Sequence, residues 1–257
     1  MSDVTLRGVS VAYDGRLAVD GVDLEVASGK WLSLIGPNGA GKTSVLRAIA
    51  RLAPFTGVVK IRDEPVTALG ARQLARRVAM LPQEPQMPDG MTVAQYAMLG
   101  RSPHLGYLGR EEARDRRIVA DVLRRLSLEE LSARSLGHLS GGEKQRAAIA
   151  RALAQEASVL LIDEPTTSLD VGRQQSVLEL IDQLRREQGL TVIAAMHELT
   201  LAGQYADRLA LLVGGRVVAS GKPDEILTEG VIAEHFQANV RVVAMNGSGA
   251  AVIPVRA

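Results

Sequence analysis

The chain has 257 residues, enough for one large domain or for a core carrying an inserted subdomain, and its 30 basic and 29 acidic side chains leave a net charge of +1. That balance offers no global basic field to attract nucleic acid or an anionic membrane, and the absence of cysteine excludes disulfides, thiolate metal sites and cysteine nucleophiles together, which fits a reducing cytosol. The N-terminus, Met1-Ser-Asp-Val-Thr-Leu-Arg7, lacks the basic and apolar regions of a secretory signal; the longest uncharged stretch, Val242 to Val255, falls short of the about 20 apolar residues a membrane span needs, so no direct membrane insertion is expected.

Val4, Leu6, Val9 and Val11, then Val22, Leu24 and Val26, alternate with polar residues and predict two half-buried antiparallel strands joined at Asp14-Gly15. Trp31 to Ile35 is a short apolar run of strand length, and Lys42 to Leu52 carries Val45, Leu46 and Ile49 at helical spacing. Between them lies Gly36-Pro37-Asn38-Gly39-Ala40-Gly41-Lys42-Thr43, a match to G-x-x-x-x-G-K-[ST] in the strand-to-helix context that the motif requires. Its glycines let backbone N–H groups wrap phosphates at a helix N-terminus, Lys42 reaches the β and γ phosphates, and the Thr43 hydroxyl binds Mg²⁺. Gly36 through Ser44 is therefore the predicted ATP-binding segment.

Apolar strands at Val78 to Leu81, Val159 to Ile162, Thr191 to Met196 and Leu209 to Val213 alternate with helical segments, which implies a largely parallel sheet covered on both faces. Residues 83–157 differ in character, opening with prolines and then rich in helix formers, and read as an inserted helical subdomain; residues 1–82 and 158–257 form the core, its β layer and a C-terminal extension. In the insertion Ile118, Val119, Val122, Leu123 and Leu126 share one helical face, while Arg114, Arg117, Arg124 and Arg125 form a solvated one. The tail predicts a short helix at Pro223 to Leu227 and β-like runs around Val240 to Ala244 and Ala250 to Val255.

Leu160-Leu-Ile-Asp163 is a buried-strand pattern ending in two acids, at the end of a parallel strand where open α/β sheets bind ligands. Asp163 is expected to face Mg²⁺, and strand alternation to turn Glu164 elsewhere, onto the attacking water. Ser140 and Glu143 satisfy a helix-start capping box, but that does not account for Gly141 and Gly142, which expose N–H groups at a second helix N-terminus. The three segments together specify an ATPase.

Leu139-Ser-Gly-Gly-Glu-Lys-Gln-Arg146 resembles the signature sequence of ATP-binding cassette proteins, and the resemblance extends over essentially the whole chain. It implies a P-loop, RecA-like α/β core with an antiparallel β subdomain and an inserted α-helical subdomain. By the same resemblance Tyr13 stacks on adenine, Gln83 binds Mg²⁺ and contributes to catalysis, Asp170 crosses a dimer interface, and His197 contacts the γ-phosphate as a switch. A head-to-tail homodimer is implied, with Ser140, Gly141 and Gly142 of one copy closing on the nucleotide of the other. Asp163 would hold the metal through water, with Lys42, Gln83, Glu164 and His197 as the catalytic set and ATP and Mg²⁺ as the cofactors.

Gly90-Met-Thr-Val-Ala-Gln95, Leu99-Gly-Arg-Ser-Pro-His104 and Gly221-Lys-Pro-Asp-Glu-Ile-Leu227 resemble the ATPase subunits of bacterial importers for iron-siderophores, haem and cobalamin. That implies polytopic permease partners, a substrate-binding protein in the complete importer, and a peripheral place on the cytoplasmic face of the membrane. Iron-siderophore is the first expectation for cargo, with haem, cobalamin and molybdate behind; Val171-Gly-Arg-Gln-Gln175 lacks a histidine that many relatives carry. The Gly100 to His104 run is expected to receive the permease, with charge reversal at Arg101 uncoupling transport while sparing ATPase activity. The alternative is a cytosolic cassette ATPase of iron–sulfur cluster assembly. A long coiled-coil insertion, as in DNA-repair relatives, has no room here.

Overall fold

The computed structural model describes residues 2–106, 109–164, 171–245 and 249–256. Strands β1 (Ser2–Tyr13) and β2 (Arg16–Ala27) form the expected antiparallel pair. The three-residue step from Leu6 to Val9 breaks strict alternation, and a register shift between those residues absorbs it, so both side chains stay buried. β3 (Trp31–Ile35) leads into helix α1 (Lys42–Ile49), followed by β4 (Thr56–Ile61), β5 (Glu64–Pro65), α2 (Ala71–Ala75) and β6 (Val78–Leu81). Next come α3 (Val93–Met98), a 3₁₀ turn at Leu99–Arg101, α4 (Ala113–Arg125), a second 3₁₀ turn at Leu136–His138, and α5 (Gly141–Ala154). The chain then returns through β7 (Val159–Asp163), α6 (Val171–Gln188), β8 (Thr191–Ala195), α7 (Leu199–Tyr205), β9 (Arg208–Val213) and β10 (Arg216–Gly221). It ends with α8 (Pro223–Ile226), α9 (Glu229–Phe236) and the hairpin β11 (Val240–Ala244) and β12 (Ala250–Pro254).

Six strands form the central sheet in the order β10-β9-β3-β8-β7-β6, parallel except where β10 turns back along β9. β2-β1-β4-β5 form a separate antiparallel sheet, and β11 and β12 form a two-stranded sheet. The period of two along each central strand divides the interior. Trp31, Ile35, Leu160, Ile162, Val192, Leu209 and Leu211 face one core shared with α3, α4, α5 and α6. Leu32, Leu34, Leu161, Ile193, Ala210 and Leu212 face the other, shared with α1 and the antiparallel sheet.

The helix expected to reach Leu52 stops at Ile49. Arg51 takes a left-handed backbone (φ 56°), its N–H donates to Ala48 O and that of Leu52 to Arg47 O, a Schellman closure with arginine where glycine is usual. The Arg51 guanidinium donates to Val66 O and Leu69 O, at 2.8 and 2.7 Å, which holds the turn. Helix α9 has no counterpart in the sequence reading. Thr228 caps it by accepting the Val231 N–H, but Gly230 in its first turn dilutes the pattern. Of the expected apolar face of α4, Val119, Val122, Leu123 and Leu126 are buried and Ile118 is half-buried, with the four named arginines exposed.

Candidate active site

The loop of residues 36–41 joins the end of β3 to the start of α1, and glycine shapes it at Gly36, Gly39 and Gly41, all at positive φ. Gly36 (φ 146°) and Gly41 (φ 100°) sit where L side chains are strained, and a Cβ would strike Leu212 O at the first and Ala18 O at the second. Gly41 also caps α1 without any side-chain hydrogen bond, so the open N–H groups of the first turn remain a seat for an anion. A cavity of about 670 Å³ opens here, lined by Tyr13, Ala18, Asn38, Gly39, Ala40, Gly41, Lys42, Thr43, Ser44, Gln83, Glu164 and His197. Its size lies within the ordinary range for small-molecule sites.

Lys42 is buried, and its Nζ donates to Gly36 O (2.8 Å) and Pro37 O (3.1 Å). Those two residues are not on the cavity wall themselves. Burial pulls the Lys42 ammonium below the usual lysine range, while Glu164 and Asp163 pull it back up. Thr43 Oγ1 donates to Asp163 Oδ1 at 2.9 Å. Asp163 is buried behind Thr43, in an adjoining cleft of about 440 Å³ that Thr43 and Gln83 also line. Burial pushes its carboxyl up, against the Thr43 hydrogen bond, so a positive charge arriving there would relieve it. A hydroxyl and a carboxylate in contact, beside the Gln83 amide, are the hard oxygen donors that Mg²⁺ takes.

Glu164 gathers the remaining groups. Gln83 Nε2 donates to its Oε2 at 2.7 Å, which leaves the amide oxygen of Gln83 to offer a metal, and His197 Nε2 donates to its Oε1. An ionised carboxylate only accepts, so this tautomer places the His197 proton on Nε2. One expectation needs correction: strand alternation does not separate the two acids. β7 ends at Asp163, and Glu164 departs through a positive φ of 51° with its N–H donating to Ala195 O (3.1 Å). Such a backbone on a non-glycine residue is costly and concentrates at active sites.

Tyr13 ends β1 at the cavity mouth, 39% exposed. Ala18, which no sequence argument singled out, lines the same wall; a small apolar residue in a hairpin carries no motif signal. Ser140, Gly141, Gly142 and Glu143 are not on this cavity. They begin α5, where Ser140 Oγ accepts the Glu143 N–H and the Glu143 carboxylate accepts the Ser140 N–H at 2.7 Å, a bond that holds its carboxyl below the usual range. Ser140 and Gly141 are exposed and Gly142 is buried. Asp170 lies outside the described residues. Arg101, expected on a contact surface, is 2% exposed and paired internally, so its proposed charge reversal would break the fold locally instead of testing a surface.

A phosphate loop, a buried acid on the loop's threonine and a second acid at the cavity mouth are the frame in which comparison with known proteins becomes decisive. A family model described as ABC transporter matches residues 19–167. The chain belongs to the ABC transporter family. It is the ATPase domain of that family, with the ABC ATPase fold. The hemin import ATP-binding protein HmuV of Streptomyces coelicolor is 40% identical over 247 residues, covering 96% of this chain and 87% of that protein. The iron(3+)-hydroxamate import ATP-binding protein FhuC of Bacillus subtilis is 34% identical over 244 residues, covering 95% and 91%. Among solved structures, a dimeric ATP-binding cassette in a post-hydrolysis state, bound to ADP and Pi, superposes with a TM-score of 0.76 at 28% identity, covering 85% of this chain and 98% of that one.

Proposed function

We propose that this chain is the ATP-hydrolysing subunit of a bacterial importer for an iron-siderophore, haem or cobalamin type of metal chelate. The single observation that carries the hydrolytic part is Glu164, held by Gln83 and His197 at the mouth of the phosphate cavity. Lys42 exchanges its two loop carbonyls for phosphate oxygens, and the open N–H groups of α1 take the rest. Thr43, Asp163 and Gln83 would hold Mg²⁺, which when bound would draw charge from the phosphates. Glu164 accepts the proton of the attacking water, and His197 turns from Glu164 to the γ-phosphate. Positioning and charge stabilisation of this kind are what phosphoryl transfer asks of a protein. Tyr13 stacks on the adenine.

A second copy supplies Ser140, Gly141 and Gly142. The exposure of Ser140 and Gly141 and their place outside the lining of the chain's own cavity support that division, as does the dimeric relative of known structure. Asp170 is assigned to the same interface. Residues 83–157 are the arm that meets a polytopic permease on the cytoplasmic face, with a substrate-binding protein completing the importer. No helix among the described residues is long and apolar enough to cross a membrane; attachment is assigned to the permease. The import names of the relatives favour this reading over a cytosolic assembly ATPase.

Glu164→Gln tests it. ATP binding should persist and a closed dimer accumulate, while hydrolysis falls by at least about 10², the usual contribution of a general base. Phosphate release at the parent rate would remove Glu164 from the mechanism. Uptake of labelled iron chelate, haem and cobalamin by cells carrying the parent or this variant then decides the cargo.

A further inference from the structure

Arg101 closes the 3₁₀ turn after α3 and is among the most deeply buried side chains of the molecule. Its Nε donates to Asp115 Oδ1 at 2.9 Å, and its Nη1 donates to Ala154 O and to Glu156 Oε2, both at 2.8 Å. A buried guanidinium persists only when paired and hydrogen-bonded in this way. Its partners come from two different helices. Asp115 lies in the first turn of α4, where its other oxygen accepts the Glu112 N–H at 3.0 Å; Ala154 and Glu156 are at the C-terminal exit of α5.

The neighbouring residues tighten the same junction. Gly100 lies so close to α5 that a Cβ would strike Arg151 O. His104 Nε2 donates to Gln155 O at 2.8 Å, and Arg76 Nε donates to Pro103 O at 2.9 Å. Gln155 in turn donates through its amide to Ala75 O and, at 2.8 Å, to Val78 O. Val78 opens β6, and that strand ends at Leu81, two residues before Gln83. The run from Gly100 to His104 thus ties the base of α5 to α4 and to the strand that delivers Gln83.

We propose that Arg101 is a positioning residue for the signature face: it fixes the base of α5 to α4, beside the Gln155 tie to β6, and so sets where Ser140, Gly141 and Gly142 point at the other end of that helix. The proposal rests on the reading that those three residues act on the nucleotide of a second copy. The lever is long. α5 has 14 residues, about 21 Å of helix, so a tilt of about 10° at its base moves its tip by about 4 Å, more than a hydrogen bond tolerates.

The cysteine-free chain permits a direct test on the full-length protein. Spin labels at Asp63→Cys, on the exposed β4–β5 turn of the antiparallel sheet, and Lys144→Cys, at the signature end of α5, report the pose of the helix as a dipolar distance in the nucleotide-free state. Arg101→Lys keeps the charge and loses the planar fork; Glu156→Ala removes one of the Arg101 partners and leaves the Asp115 pair intact, should the first variant fail to fold. In both, the distance distribution should shift or broaden by about 3 Å or more, while a fluorescent ATP analogue binds within about twofold of the parent and the ATP-driven dimer of the Glu164→Gln background weakens by about tenfold or more. An unchanged distribution in folded variants overturns the proposal, and so does a loss of analogue binding that matches the loss of dimer, which marks general loosening. A Glu164→Gln parent that binds the analogue and never dimerises overturns the second-copy reading itself, whatever the label distances do.

Discussion

Helices α1 and α5 both begin beside glycines, and they begin in opposite ways. α1 starts at Gly41 with no side chain capping it, inside a cavity built by its own chain. α5 starts at Ser140 with a reciprocal capping box, exposed and off that cavity. The uncapped start leaves its first-turn N–H groups open to an anion within the chain's own cavity. The capped start is stable alone, and its function depends on where the helix is aimed. On the proposed function, a phosphate site is made either by withholding a cap or by presenting a finished helix end to another molecule.

The sharpest way to break the comparison is at the base of α5. Arg101→Met strands Asp115 in the interior and should cost about 3–5 kcal/mol, the usual penalty for removing one partner of a buried ion pair, read as a lower urea midpoint. The same pair leaves a pH signature. The backbone bond from Glu112 and then the Arg101 hydrogen bond hold the Asp115 carboxyl below its ordinary value. A depressed carboxyl stabilises fully above its unfolded pKa and loses that contribution as pH falls through the folded one. The stability gap between the parent and Asp115→Asn should therefore be full at neutral pH and narrow on acidification below the usual carboxylate range; a gap independent of pH would contradict this.

At the open helix, Lys42→Ala should slow hydrolysis by about 10² or more, the scale of one lost charge-stabilising group. Because burial already opposes the Lys42 charge, the thermal midpoint should hold or rise; a large drop would recast Lys42 as a structural prop. The smallest effect belongs to the capped start. Ser140→Ala should cost about 1 kcal/mol of stability, the worth of an N-cap, and denaturant titration reads it. The ATP-driven dimer should suffer beyond that cost, because the proposed function sets Ser140 against the nucleotide of a second copy.

Much of this was legible in the residues. Trp31 to Ile35 followed by glycines and Lys42-Thr43 specifies strand, loop and helix at once, because each level of the pattern agrees with the others. The central strands declared themselves as continuous apolar runs, as parallel strands buried on both faces do. What stayed hidden depends on distant partners. Arg101 looks like a surface charge until Asp115 and Glu156 are placed around it, and those partners lie 14 and 55 residues away. The divergence of Asp163 and Glu164 looked like strand alternation because a positive φ on glutamate has no local signature. Ala18 joins the cavity through its position in the β1–β2 hairpin, which residue type cannot reveal.

The left-handed backbone at Glu164 has an evolutionary consequence. Holding an L residue there costs about 1–2 kcal/mol, a cost that glycine at that position would escape. Glu164→Gly would thus be tolerated or even favoured by any selection that rewards folding alone, and it would delete the carboxylate that meets water. A library of this chain sorted for heat resistance would drift toward inert variants at residue 164, and only a screen that also demands turnover would keep the glutamate.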